Sequence, residues 1–255
     1  MKEEYLNNKS ITYIKNKYHV CGNRLSKAFK EDGIEIVNRQ NVTKFDNHIF
    51  DKIDSEEKAY WLGFIYADGY VSSGDNTFEL SLGLKDTNHL YKFAKFMKYE
   101  NNVKIDSYRC RFYVCNKHFH QNFSKLGIFP RKSLVLKFPS KKIIPKKLLN
   151  HFIRGYFDGD GNVGVYKIKH GKKAGNLYYA VGVLGTEDML TNIRNIIGLS
   201  KKLYEKKDCN TAVKILRFGK KKGLTMLDYM YKNASIYLDR KYEKYKEFAV
   251  LARNN

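Results

Sequence analysis

Apolar residues in the first 45 positions recur at helical spacing in two short stretches. Ile11, Ile14, Tyr18 and Val20 form one stripe, and Leu25, Ala28 and Phe29 form a second. His19-Val20-Cys21-Gly22-Asn23 breaks the pattern between them, and Asp32-Gly33 stops the second helix. Two short helices around a glycine-containing turn predict a helix-turn-helix. The second, about Gly22 to Lys30, turns Asn23, Arg24, Ser26, Lys27 and Lys30 to solvent. Those residue types contact bases and phosphates, although the same face also suits a plain helical hairpin with a solvated basic side. Residues 1–45 therefore read as a small all-α module. The aperiodic stretch Glu35 to Phe50 reads as connecting chain, with residues 46–54 as the linker proper.

A different pattern begins at Asp54, which with Glu57 suggests a capping box. A strongly apolar helix, Glu56 to Ala67, ends in Ala67-Asp68-Gly69. Alternation over Thr77–Leu84 buries Phe78, Leu80, Leu82 and Leu84. A helix from Asp86 to Met97 turns Leu90, Phe93, Phe96 and Met97 inward. Tyr108–Cys115 alternates again, and a further helix leads to Pro130-Arg131-Lys132-Ser133. The same order then recurs. Pro145 to Phe157 is an apolar helix ending Asp158-Gly159-Asp160-Gly161, followed by strand patterns at Val163–Ile168 and Tyr178–Leu184. A helix from Thr186 to Ile197 turns Leu190, Ile193, Ile196 and Ile197 inward. The first helices correspond at an offset of 92 residues and the second at 100, the difference fitting a longer hairpin at 170–175. A third block aligns Phe129-Pro130-Arg131-Lys132-Ser133 with Leu238-Asp239-Arg240-Lys241-Tyr242. The expectation is an α+β protein of two pseudo-symmetric αββαββα repeats, residues 55–140 and 141–255, forming antiparallel β saddles around a central two-helix interface.

Composition narrows the partner. The 255 residues include 48 Lys plus Arg against 26 Asp plus Glu, a formal charge of +22. An excess of that size points to a polyanion, nucleic acid before an anionic membrane. No apolar run reaches the ~18 residues of a membrane span. Met1-Lys2-Glu3-Glu4 is acidic and lacks the apolar stretch of a signal peptide. Cys21, Cys110, Cys115 and Cys209 form no CxxC pair, which suits reduced thiols in the cytoplasm. A zinc site from Cys110, Cys115, His118 and His120 is disfavoured because the two cysteines have opposite strand parity. Abundant Lys, Asn, Ile and Tyr hint at an AT-rich bacterial or phage genome.

The two motif helices align as Trp61-Leu62-Gly63-Phe64-Ile65-Tyr66-Ala67-Asp68-Gly69 and Ile153-Arg154-Gly155-Tyr156-Phe157-Asp158-Gly159-Asp160-Gly161. Gly63 and Ala67, like Gly155 and Gly159, make a small-xxx-small stripe that lets helices touch backbone to backbone. Pairing would bring Asp68 and Asp160 together at helix C-termini, where two anions repel each other and the helix dipole. Divalent cations would offset that cost, since carboxylates and backbone carbonyls are hard ligands suited to Mg²⁺. Two such acids in a basic protein suggest two-metal phosphodiester hydrolysis. Lys132 and Lys241, at matching points, would stabilise negative charge on phosphate.

These motifs resemble the paired signature helices of the LAGLIDADG homing endonucleases in their single-chain, two-motif form, over about residues 55–245. The resemblance implies Mg²⁺ (or Mn²⁺) held by Asp68 and Asp160, with the carbonyls of Ala67 and Gly159 beside them. It also implies catalytic roles for Lys132 and Lys241, and a monomer that cuts both strands of a long double-stranded DNA target across the minor groove to leave 3′ overhangs. Tyr66 departs from the acid at the matching position, Asp158. The front module is similar to accessory DNA-binding domains found in such enzymes. Met1 and the terminal Asn254-Asn255 argue against an intein. An RNA maturase of the same fold and a non-cleaving DNA-binding regulator are the alternatives.

Strand parity suggests the DNA face. Arg109, Arg111 and Tyr113 should point out together, as should Glu79, Ser81 and Lys85. Lys167 and Lys169 share a face. Arg217 and Lys214 have opposite parity, so at most one meets DNA. The pairs Lys141-Lys142, Lys172-Lys173, Lys201-Lys202 and Lys206-Lys207, with Lys220-Lys221-Lys222, would touch phosphates or solvent. Residues 159–164 match GxGxxG but follow a helix and open a strand, the reverse of a dinucleotide site. Asp158, Asp160 and Asn162 mimic the start of an EF-hand but lack its Gly and final Glu.

Overall fold

The computed structural model describes residues 1–7, 9–36, 44–101, 103–205 and 213–254. Cys209 and Lys206-Lys207 lie outside these, as does part of the Glu35–Phe50 stretch. The chain divides into two compact units, Met1–Thr43 and Lys44–Asn255.

The first unit holds three helices: α1 (Lys2–Leu6), α2 (Ile11–Tyr18) and α3 (Gly22–Glu31). Ser10 caps α2 by accepting from the Tyr13 amide, and His19 ends it in the left-handed region at φ 51°. Tyr5, Ile14, Leu25 and Phe29 make the core. Two expected inward residues stay in solvent. Tyr18 ends its helix after the last core contact, and Ala28 sits beside the stripe that Leu25 and Phe29 already fill.

The larger unit runs α4 (Glu56–Asp68), β1 (Gly69–Val71), β2 (Thr77–Gly83), α5 (Thr87–Phe96), β3 (Lys104–Ile105), β4 (Arg109–Cys115) and α6 (Lys117–Lys125). It continues with α7 (Leu149–Asp160), β5 (Gly161–Lys167), β6 (Leu177–Thr186), α8 (Glu187–Ile197), β7 (Tyr204–Glu205), β8 (Val213–Phe218), α9 (Lys220–Tyr231) and α10 (Asp239–Asn254). The expected αββαββα order is thus present twice, with α10 added. Each half has a four-stranded antiparallel sheet of one topology, β1-β2-β4-β3 and β5-β6-β8-β7. One face of each sheet is apolar: Phe78, Leu80, Cys110, Phe112 and Val114 in the first, Val163, Val181, Val183 and Leu216 in the second. Both pack on the central helices in one continuous core.

Several boundaries shift. Ser55, not Asp54, caps α4 by accepting from the Lys58 amide, while Asp54 pairs with Lys58 at 3.0 Å. Leu84 leaves β2 for a 3₁₀ turn and is exposed. The α7 helix begins four residues after Pro145, behind another 3₁₀ turn. Residues 44–54 do not behave as a free linker, because Phe50 and Ile53 are buried in the large core. The short strands β1, β3 and β7 have too few residues for alternation to register.

Candidate active site

Helices α4 and α7 meet at their glycines. A Cβ on Gly63 would lie 2.0 Å from the Phe152 carbonyl oxygen and 2.9 Å from the Tyr156 nitrogen. A Cβ on Gly155 would lie 1.9 Å from the Tyr60 carbonyl oxygen and 2.9 Å from the Phe64 nitrogen. Each contact maps onto the other at the 92-residue offset, so the interface is self-complementary about a pseudo-two-fold axis. At the C-terminal ends, a Cβ on Gly159 would be 2.3 Å from the Ala67 Cβ and 2.9 Å from Asp68 Oδ2. Gly159 therefore leaves the space in which Ala67 and the Asp68 carboxylate sit.

The charges at this end are coupled. Burial, then the neighbouring Asp160, pushes the Asp68 carboxyl up to about 6, against the pull of Lys241 and Lys132. Burial likewise raises Asp160, opposed by Lys132, Lys241 and a hydrogen bond from Tyr156. Asp68 is crowded by protein on one side and open to solvent on the other, and Asp160 is half-buried. Both lysines are buried. Lys132 Nζ donates to the Ala67 and Gly69 carbonyls at 3.2 and 2.6 Å. Lys241 Nζ donates to the Phe157, Asp158 and Gly159 carbonyls at 2.7, 2.7 and 3.3 Å. Desolvation lowers both, Lys241 to about 8, while the acids favour their charged forms. Asp68, Asp160, Ala67, Gly159, Lys132 and Lys241 thus assemble at one place from four segments of the chain.

The sixth motif position has a role that sequence reasoning missed. Asp158 is fully buried and accepts from Tyr60 Oη at 2.7 Å, from the Leu238 amide at 2.8 Å and from Tyr231 Oη. Its counterpart Tyr66 donates to the Leu126 carbonyl. Each therefore ties a motif helix to the segment that carries the basic residue. Arg240 adds a bidentate pair to Asp86 at 2.7 and 3.0 Å beside Lys241. Asp158→Ala would strand the buried Tyr231 hydroxyl and Leu238 amide, while Tyr60 Oη keeps His89 Nε2 at 2.9 Å, a loss of about 3 kcal/mol in chemical denaturation. An unchanged midpoint would contradict this role.

The outward sheet faces only partly follow the parity expectation. Arg109, Arg111 and Tyr113 do point away from the core, opposite Gly83, Ser81 and Glu79. The arginines are engaged, however. Arg111 pairs with Asp106 at 3.0 Å, and Arg109 with Glu79 at 3.5 Å. Lys85 lies beyond the strand in the 84–86 turn. In β5, Lys167 has the parity of Val163 and Val165, so it belongs to the core face and is exposed only because the core has ended; Lys169 lies past the strand. The outward residues there are Asn162, Gly164 and Tyr166. With Tyr178, Leu184, Ile215 and the exposed Arg217, Asn162 lines a groove of about 660 Å³. The charged pattern drew attention to the lysines, whereas valine packing sets the face. Lys214 turns to Glu205 at 3.0 Å on the other side. In the first unit Asn23, Arg24, Lys27 and Lys30 are exposed and Ser26 is half-buried.

The disfavoured zinc set does not come together. Cys110 Sγ faces the Leu82 carbonyl and Cys115 Sγ that of Asp75, while His118 and His120 go to Asp51 and Ser72. Among the described residues no helix is long and apolar enough to cross a membrane.

No family model matches the chain. The replication factor C small subunit of Methanocaldococcus jannaschii is 28% identical over 129 residues, covering 47% of this chain but only 7% of that protein. Solved structures match far more completely. The LAGLIDADG meganuclease I-AabMI bound to uncleaved DNA has a TM-score of 0.55 at 11% identity, covering 79% of this chain and 91% of that one. The I-LtrWI homing endonuclease bound to target DNA gives 0.53 at 14% identity, covering 78% and 91%. The I-SmaMI enzyme bound to cleaved DNA gives 0.54 at 11% identity, covering 79% and 90%. Duplicated sheets, reciprocal glycine contacts and these likenesses agree: the chain has the LAGLIDADG homing endonuclease fold, with both motif helices on one polypeptide.

Proposed function

We propose that this protein is a monomeric, site-specific endonuclease that hydrolyses both strands of a long double-stranded DNA target and leaves 3′ overhangs. The observation that carries the reading is the pair Asp68 and Asp160 at abutting helix ends, flanked by two buried lysines. Two carboxyls raised by burial, Asp68 also by its neighbour Asp160, suit a divalent cation. Asp68 and Asp160 would hold Mg²⁺ or Mn²⁺, with the Ala67 and Gly159 carbonyls adjacent, and the ions would supply Lewis acidity toward phosphate oxygens. Lys132 and Lys241, anchored on the same carbonyls, offer fixed positive charge to the pentavalent phosphate. Arg109, Arg111, Tyr113, Ser81 and Arg217 on the outward faces would contact bases and phosphates, and Lys85, Lys167 and Lys169 the flanking backbone. Three solved neighbours with DNA in their structures support this reading.

Cleavage of a randomised or genomic DNA library with Mg²⁺, followed by sequencing of the ends, tests the proposal. One recurrent site with 3′ overhangs is expected. Binding without cutting would favour a regulator, and intron RNA binding without DNA cutting a maturase. The N-terminal unit is proposed to add affinity through Asn23, Arg24, Ser26, Lys27 and Lys30. Deleting Met1–Thr43 should weaken target binding on the order of 10²-fold in gel-shift titration while cutting persists at high enzyme concentration. Undiminished affinity would remove the unit from DNA recognition.

A further inference from the structure

A second cluster of metal-ligating groups lies away from the acid pair. His48 and Asp51 sit on the turn before α4, and His118 on α6. His48 Nδ1 is 2.8 Å from Asp51 Oδ2, and His118 Nε2 is 2.8 Å from Asp51 Oδ1. The imidazole centroids are 4.2 Å apart. One ligand atom from each residue falls within 4.8 Å of the other two.

Packed aromatic rings and a buried amide back the cluster. Buried Phe50, between His48 and Asp51, packs on Phe119 beside His118, with ring centroids 6.2 Å apart. Phe45 meets the same ring edge-on at 5.2 Å. Asn122, also buried, donates to Asp51 Oδ1 at 3.2 Å and so orients the carboxylate from behind. Such outer hydrogen bonds fix the ligands of metal sites.

The local charge balance favours a cation. Neighbouring Asp46 and Asp54 each pair with a lysine, Lys98 and Lys58. Among the described residues the ionisable partners of Asp51 are His48 and His118, each at 2.8 Å. In a chain of charge +22, no lysine or arginine among the described residues lies within ion-pair distance of this carboxylate.

We propose that His48, Asp51 and His118 form a binding site for Zn²⁺ or a divalent transition metal of similar preference. Tetrahedral coordination with bonds of about 2.0–2.1 Å sets ligand atoms roughly 3.3 Å apart, so the present spacing needs only small side-chain shifts. Two imidazoles select such ions over Mg²⁺. All three side chains reach solvent, which leaves the fourth position open to water. The ion would fasten the chain entering the large unit onto α6.

The test uses the full-length protein without an affinity tag, titrated with Co²⁺ in excess Mg²⁺ and followed by visible absorbance. One Co²⁺ per chain with intense tetrahedral-type bands, displaced by Zn²⁺, is expected. Asp51→Asn should weaken binding at least ~10-fold, and His48→Ala/His118→Ala should abolish it. A wild-type spectrum of the aqua ion alone would overturn the proposal, as would wild-type affinity in Asp51→Asn or in the folded double variant. No DNA enters the measurement, so its failure is distinct from failure of the nuclease reading.

Discussion

Asp68→Asn is expected to abolish DNA cleavage and yet make the metal-free protein harder to unfold. Loss of one of the two carboxylates should lower cleavage by on the order of 10³-fold or more, with target binding kept, because recognition is spread over the sheet faces. The stability effect follows from the same electrostatics. An acid whose folded pKa is raised costs nothing below its unfolded value near ~4, an increasing amount above it, and the full amount above the folded value. For Asp68 the folded value is about 6, with burial as the main cause and Asp160 as the second. A shift of two units corresponds to ~3 kcal/mol, but water reaches the open side of this carboxylate, so the net penalty is nearer ~1 kcal/mol. The lysines' attraction is already included in a carboxyl that stays raised. In EDTA at pH 8, Asp68→Asn should therefore melt ~3 °C higher than wild type, with the gain absent at pH 4. Mg²⁺ should raise the wild-type melting temperature and leave the variant nearly unchanged. Calorimetry and a cleavage assay on one preparation decide the matter. Cutting at wild-type rate, or a variant that melts lower at pH 8, would refute the role of Asp68.

Much of this site could be read from the sequence, for a physical reason. Helices that touch at their backbones need Gly63 and Gly155, and the acids next along each motif are carried with them to the end of that contact. The 92-residue offset therefore carried real geometry. Other features depend on which side of an element faces the core, or on residues far apart in sequence. Lys167 has the parity of Val163 and Val165, and the packing of those two valines decides its face. Asp158 reads in the sequence only as the acid that Tyr66 replaces in the first motif. It became a buried anchor only when Tyr60, Tyr231 and Leu238 arrived from other segments. His118 stands three residues after Cys115, yet it meets His48 and Asp51 about 70 residues earlier in the chain. Alternation and helical period report on neighbours along one element, so contacts of this kind leave no local trace.

Gly155→Ala is expected to unfold the larger unit or leave it barely stable. The added methyl would stand 1.9 Å from the Tyr60 carbonyl oxygen, far inside contact distance, and 2.9 Å from the Phe64 nitrogen. Both obstacles are backbone atoms of α4, so no rotamer change relieves them. The helices would have to separate by more than an ångström along their whole contact. Tyr60, Phe64, Phe152 and Tyr156 are all buried in the shared core, so separation would open voids on both sides of the axis. Overpacking alone costs about 1–3 kcal/mol, and lost packing adds to it, giving a total on the order of 4 kcal/mol or more. Gly63→Ala should behave alike, since its methyl would meet the Phe152 carbonyl oxygen at 2.0 Å. Gly83→Ala is the control, because a methyl there meets nothing within 4 Å. Urea unfolding followed by tryptophan emission reports the outcome directly, as Trp61 lies buried in α4 itself. Wild-type midpoints for both interface variants would mean that these helices do not touch through their backbones. The approach of Asp68 to Asp160 would then need another cause. The opposite outcome would tie stability to chemistry, since the close contact that excludes a methyl group is also what brings two acids to one point.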